Sequence, residues 1–310
     1  MLKWQSFPGI PFPRAGLYSH LPIRFCVLYM SIAPKRSRVV FQKLERDLVK
    51  LGSKPRAENV HRFRTGTRRL QILLGELSPK PDRGQKKLLK TLVRIRKRAG
   101  KVRDLDVQLA ALRSLKIPQE PRRKTQLVNH LIELRGQQER RLRKAADKAT
   151  VREIRKRLKR AGRNFNPEVS ADPLAIAKGM LQRIDRTNAP LTEAVLHQYR
   201  ILSKRARYAA EFANESKEAA KFIASLKRVQ DALGDWHDWL TLTQTALDHV
   251  GEVHQSPLVA ELHNVTGAKF RQAVAVLSHL RAELVPAREN RAQTPARSPA
   301  GATRSMAPAA

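Results

Sequence analysis

One polar pattern occurs twice in this chain, and it limits the folds open to it. Residues 61–70 read HRFRTGTRRL and residues 197–208 read HQYRILSKRARY. His61 aligns with His197, Arg64 with Arg200, Arg68 with Lys204 and Arg69 with Arg205. A second pair lies downstream, LVRIRKRAGKVRDLDV at 92–107 and LKRVQDALGDWHDWLT at 226–241. Setting Gly100 on Gly234 puts Lys87 on Lys221, Arg94 on Arg228 and Asp104 on Asp238. The two anchors repeat at offsets of 136 and 134 residues, so the chain reads as an internal duplication. Each half then folds as a small unit, and the two units pair about a pseudo-two-fold axis.

Those units are helical. From about Arg36 to Ala287 apolar residues recur at three and four, and no segment alternates with period two. The pattern predicts helices near 36–51, 55–77, 82–99, 102–115 and 121–148. A second group is predicted near 150–162, 172–187, 190–214, 217–233, 235–250 and 256–284. Breaks are expected at Gly52, Gly100, Gly234 and the proline-bearing links, such as Ser78-Pro79-Lys80-Pro81. The expected fold is all-α, with two pseudo-symmetric antiparallel bundles in one domain over 34–285. The first half covers about 34–148 and the second about 149–285. Residues 1–33, with Pro8, Pro11, Pro13 and Pro22, are expected to be a disordered extension. The Ala-, Pro- and Arg-rich stretch 286–310 is expected to be a disordered tail.

At ~100° per residue, positions i, i+3 and i+7 share a narrow arc of a helix. His61, Arg64 and Arg68 therefore form one stripe, and His197, Arg200 and Lys204 its counterpart, continued by Tyr208. Lys87, Lys90, Arg94 and Arg98 also share a face, of which the second half keeps Lys221 and Arg228. Like charges stacked this way destabilise a helix by a few tenths of a kcal/mol per pair. Residues 60–75 contain no Asp or Glu ahead of Glu76 to relieve the first stripe. Arg presents a planar fork that matches phosphate oxygens in pairs, and Lys a compact charge. A single stripe reads as a solvated face; its repetition favours an anion site.

The whole chain agrees. Its 62 Lys and Arg stand against 27 Asp and Glu, a net charge of +35, which calls for a polyanionic partner. Nucleic acid, an anionic membrane surface and inorganic polyphosphate are the candidates. The one cysteine, Cys26, excludes a disulfide framework and a thiolate metal site, and fits a reducing compartment. No run approaches the ~18 apolar residues of a membrane span. His61 and His197 read either as phosphate ligands or as side chains that orient the neighbouring Arg. They lack the spacing of metal ligands, so no metal or cofactor is expected. Asp104 and Asp238 are expected in the first turn after a glycine break, complementing a helix N-terminus and holding an Arg of the stripe. Asp235 with Asp238 has capping-box spacing, and Trp236, Trp239 and Tyr208 are expected in the core.

The repeated H-x-x-R-x-x-x-[RK]-R pattern resembles the CHAD domain, the conserved-histidine α-helical domain. VRDLDV at 102–107 is similar to that family's R-D-x-D-V element, and 196–211 and 226–239 to its second-half signature. The likeness covers roughly residues 36–284. It implies long helices in two related halves and a basic groove or pore that binds inorganic polyphosphate. It also implies a cytoplasmic protein associated with polyphosphate granules. Carried over, the anion-binding set is His61, Arg64, Arg68, Arg69, Arg94, His197, Arg200, Lys204, Arg205, Arg207 and Arg228, to which the repeated Lys87 and Lys221 are added. Where the family usually has a further Arg ten residues after the first His, this chain has Gln71, whereas the second half keeps Arg207. A weaker or displaced first-half site is the expected consequence. The E-x-E-x-K signature of the triphosphatase fused to some members does not occur, so that activity is not carried over.

The reading is thus a non-catalytic polyphosphate-binding protein. An RNA- or DNA-binding protein is the alternative, since net charge does not distinguish phosphodiester from polyphosphate. Aromatic residues at 5% are sparse for base stacking. A metal-dependent phosphohydrolase would rest on the dipeptide His237-Asp238 alone, and no G-x-x-x-x-G-K-[ST] loop occurs.

Overall fold

The protein is described by a computed structural model over residues 34–78, 81–165, 172–185, 190–250 and 256–284. The expected disordered ends, 1–33 and 286–310, lie outside the described residues, as do the expected links at 166–167 and 188–189. Every element described is an α-helix. They are α1 (Pro34–Ser53), α2 (Ala57–Gly75), α3 (Arg83–Ser114), α4 (Pro121–Ala145) and α5 (Lys148–Arg163). Then come α6 (Pro173–Asp185), α7 (Glu193–Ala210), α8 (Lys217–Val250) and α9 (Pro257–Leu284).

The starts follow from local chemistry. Asp82 accepts from the Gln85 backbone N–H at 2.8 Å, and the Gln85 side chain accepts from the Asp82 N–H at 3.2 Å, a complete capping box for α3. Asp147 caps α5 through the Thr150 N–H at 2.7 Å, and Thr192 caps α7 through Val195. Pro121 and Pro257 open α4 and α9, where a missing N–H costs nothing.

The packing order repeats along the chain. α1 lies on α2, α2 on α3 and α3 on α4; α6 lies on α7, α7 on α8 and α8 on α9. The two series meet where α2 touches α7 and where α3 and α4 touch α8. α5 opens the second half in the sequence reading; it packs against α1 and α3. One large apolar core takes residues from both series, among them Leu44, Phe63, Leu92, Tyr199, Leu226 and Trp236. A second core, built on Leu109, Leu112, Leu131, Leu242 and Leu262, sits where the far ends of α3 and α8 meet α4 and α9. Trp236 and Tyr208 are buried as expected, and Trp239 packs partly buried against the second core. Gly66 lets α1 come close: a Cβ there would stand 3.2 Å from a Leu44 methyl.

Two expected breaks are absent. α3 runs unbroken through Gly100 and α8 through Gly234, making helices of 32 and 34 residues. A glycine inside a helix costs about 1 kcal/mol relative to alanine, which burial on both sides outweighs. Ile95, Ala99 and Val102 keep the buried face of α3 in register across Gly100, and Val229, Leu233 and Trp236 do so in α8. Asp104 and Asp238 therefore sit mid-helix. They complement no helix N-terminus, and Asp235 with Asp238 forms no capping box.

Candidate polyanion-binding site

The repeated stripes meet. α2 brings His61, Arg64 and Arg68 and α7 brings His197, Arg200 and Lys204; His61 is exposed at the rim and the other five are half-buried. The four cations of these stripes lie close enough to disturb one another. Lys204 is pushed down to about 7, first by burial and then by Arg200 and Arg68, with Arg64 adding to them. Arg64 is lowered by burial and by Arg68 and Arg103, against the opposing pull of Asp104. Arg200 is lowered by burial, then by Arg68 and Arg64, against Asp238 and Asp104. The Arg64 side chain is only 15% exposed and bonds Asp104 Oδ1 at 3.3 Å. Asp104 thus holds a stripe arginine, and Asp238 stands near Arg200 and Lys204 in the second half.

Both histidines are pushed toward the neutral form. Burial, then the charges of Arg103, Arg64 and Arg68, lowers His61 below the ordinary imidazole range. Burial, then His237, Arg200 and Lys204, does the same to His197, whose ring lies 5.9 Å from that of His237. A neutral imidazole still offers one N–H to an anion.

Arg96, Arg103 and Gln230, which the sequence reading does not single out, belong to this cluster, and so does His237, which it names only in the dipeptide with Asp238. Arg96 is pushed down to about 10 by burial and by Arg68 and Arg64, and its Nε is buried with no acceptor among the described residues. Arg200 Nε is in the same state. Arg103 acts on His61, His237 stacks near His197, and Gln230 accepts from Arg207 Nε at 2.8 Å while donating to the Ser203 carbonyl at 2.8 Å. The glycine anchor already aligned them: Arg96 falls on Gln230 and Arg103 on His237. The departure at Gln71 then takes another meaning. The first half has Gln71 on α2 and Arg96 on α3, and the second has Arg207 on α7 and Gln230 on α8. Each half carries one Arg and one Gln at these two places, exchanged between helices.

Six of the sequence-derived candidates stand elsewhere. Arg69 bonds Glu211 at 2.8 Å and Arg205 bonds Glu76, two ion pairs that cross between α2 and the α7 end in reciprocal fashion. Glu211 also takes Arg207 at 2.6 Å, and Tyr208 stacks under both Arg69 and Arg207. Lys87, Arg94, Lys221 and Arg228 are exposed. Arg94 lies about 200° round α3 from Arg96, and Arg228 pairs with Glu283. Arg207 and His61 also line an open cleft of about 960 Å³ between α1, α2 and α7, together with Lys43, Arg46 and Arg69.

The fold has relatives. A family model described as the CHAD domain matches residues 39–247. The chain belongs to the CHAD family. The CHAD domain from the plant Ricinus communis superposes with a TM-score of 0.55 at 20% identity, over 86% of this chain and 97% of that one. PptA from Streptomyces chartreusis superposes with a TM-score of 0.59 at 16% identity, over 81% of this chain and 96% of its own. No curated protein sequence matches. At such identities the two structures speak for the fold, and the long-helix CHAD architecture is the one seen here. Among the described residues no helix is long and apolar enough to cross a membrane.

Proposed function

We propose that this CHAD protein is a non-catalytic binder of inorganic polyphosphate, held between the stripes of two repeated halves related by a pseudo-two-fold axis. The observation that carries this reading is the convergence of Arg64, Arg68, Arg200 and Lys204, with Arg96 beside them, around two near carboxylates among the described residues, Asp104 and Asp238. Their charges lower one another's pKa, so their proximity is unfavourable without a counter-anion. A linear phosphate polymer supplies many charges in a small cross-section and presents no bases. The set offers phosphate oxygens a fork from each arginine, a compact charge from Lys204 and one N–H from each neutral histidine. His61 and His197 serve as direct ligands. Asp104 and Asp238 hold the arginines. Arg69 and Arg205 serve as cross-braces. Localisation at polyphosphate granules in the cytoplasm follows from this activity.

Titration tests the reading. Long-chain polyphosphate is expected to bind with a Kd on the order of a micromolar or tighter at modest salt. Duplex DNA at equal phosphate concentration should displace it poorly. Preference for DNA would reject the ligand, and release of orthophosphate with added Mg²⁺ or Mn²⁺ would reject the non-catalytic role.

A further inference from the structure

The net charge is unevenly placed. Residues 34–163, which include α1 to α5, hold 41 Lys and Arg against 12 Asp and Glu, whereas residues 164–285 hold 14 against 14. Both stretches build the same order of packed helices, and both supply a stripe to the central site. Neither the fold nor that site therefore requires the surplus of the first.

The surplus is most ordered on the outer face of α3. Lys86, Lys87, Lys90, Arg94, Lys97 and Lys101 are all exposed, and no carboxylate pairs with any of them among the described residues. At ~100° per residue they fall within an arc of about 100°, and they run about 22 Å along the helix. The equivalent positions of α8 are also exposed, but there stand Ala220, Lys221, Ala224, Arg228, Asp231 and Asp235. These carry no net charge, and Arg228, Asp231 and Asp235 each have an ion-pair partner. Beside the α3 stripe lies α5, with eight Lys or Arg against Glu153 alone, whose pKa is lowered first by Arg157 and to a lesser degree by Lys87. Stacked like charges destabilise an isolated helix, so a solvated face alone gives no reason for a duplicated helix to acquire them on one copy.

We infer that the outer stripe of α3 is a second polyphosphate track, separate from the central site, so that one molecule holds two segments of polymer. This rests on the function proposed above. Neither α3 nor α5 contains an aromatic residue, so bases have no platform there and only the phosphate backbone is bound. A polymer already seated between α2 and α7 presents its next segment to the stripe at high effective concentration. Two segments from different chains make the protein a bridge.

The test uses the full chain, the triple variant Lys90→Ala/Lys97→Ala/Lys101→Ala, and three probes: a short polyphosphate of about ten units, one of several hundred, and duplex DNA. The three sites are exposed, and alanine is a better helix former than lysine, so the fold is kept. Short-chain affinity should stay within about twofold. Long-chain affinity should fall about tenfold or more, with light scattering from bridged complexes lost and the salt slope reduced by about two. Unchanged long-chain binding and slope would overturn the inference, as would a loss confined to DNA. A native protein that binds neither length of polyphosphate would instead reject the function on which the inference rests.

Discussion

Lys204 is the most informative single residue. Its ammonium is buried among Arg200, Arg68 and Arg64, and its pKa lies near 7 where a free lysine has 10.5. The folded state therefore disfavours the charged form, by on the order of 5 kcal/mol once fully protonated. Between pH 7 and 10.5 the unfolded chain holds a proton that the empty fold has released, so the stability of the free protein rises with pH across that window. A phosphate polymer has the opposite preference. It stabilises the ammonium, so binding takes up a proton above pH 7. Polyphosphate affinity should fall about three- to tenfold from pH 7 to pH 8, and Lys204→Arg should flatten that part of the profile, because Arg stays charged. Calorimetry in buffers of different ionisation enthalpy would count the proton directly. A native profile as flat as that of the arginine variant would show that Lys204 does not meet the anion. The repeat itself exposed this lysine. Arg96 is not legible in the same way, because the repeated cations of α3, Lys87 and Arg94, mark its outer face and Arg96 lies on another. The difference between the faces is one of tertiary contact, since Arg96 and Arg94 are equally basic and only two residues apart.

Among the elements, α2 and α7 are tied by more than apolar contact. Arg69–Glu211 and Arg205–Glu76 run in opposite directions between them, and Glu211 serves Arg207 as well. Glu211→Gln removes the partner of two partly buried arginines. It should lower stability by about 1–2 kcal/mol, read as a fall in Tm, while polyphosphate affinity holds or rises. An unchanged Tm would deny the Glu211 brace a structural role, and Arg69 would return to the ligand set. Helix identity and order are legible from the 3.6-residue period and from the proline-bearing links. The continuity of α3 and α8 is not. Gly100 and Gly234 carry the local signature of a stop, and only the apolar register on both sides, fixed by the two cores, overrides it. That misplacement is also why Asp104 was expected at a helix start, although its bond to a stripe arginine was anticipated.

At the scale of the molecule, the proposed site depends on two basic stripes brought together from distant parts of the chain. Like charges along one helix cost a little stability, and bringing Arg64 and Arg68 near Arg200 and Lys204 adds to that cost unless an anion joins them. Gln71 and Arg96 in the first half answer Arg207 and Gln230 in the second, so each half carries one arginine at these two places. The two histidine motifs carry the architecture in the sequence itself, through their resemblance to the family. The crossing of α2 with α7 required the fold. The central claim is that Arg64 and Arg200, 136 residues apart in sequence, contact one polymer segment. A double-mutant cycle with Arg64→Ala and Arg200→Ala, titrated with a polyphosphate too short to reach any other surface, measures this directly. The account predicts a coupling of about 1 kcal/mol or more between the two substitutions. Effects that add within about 0.5 kcal/mol would mean two independent sites, and would contradict it.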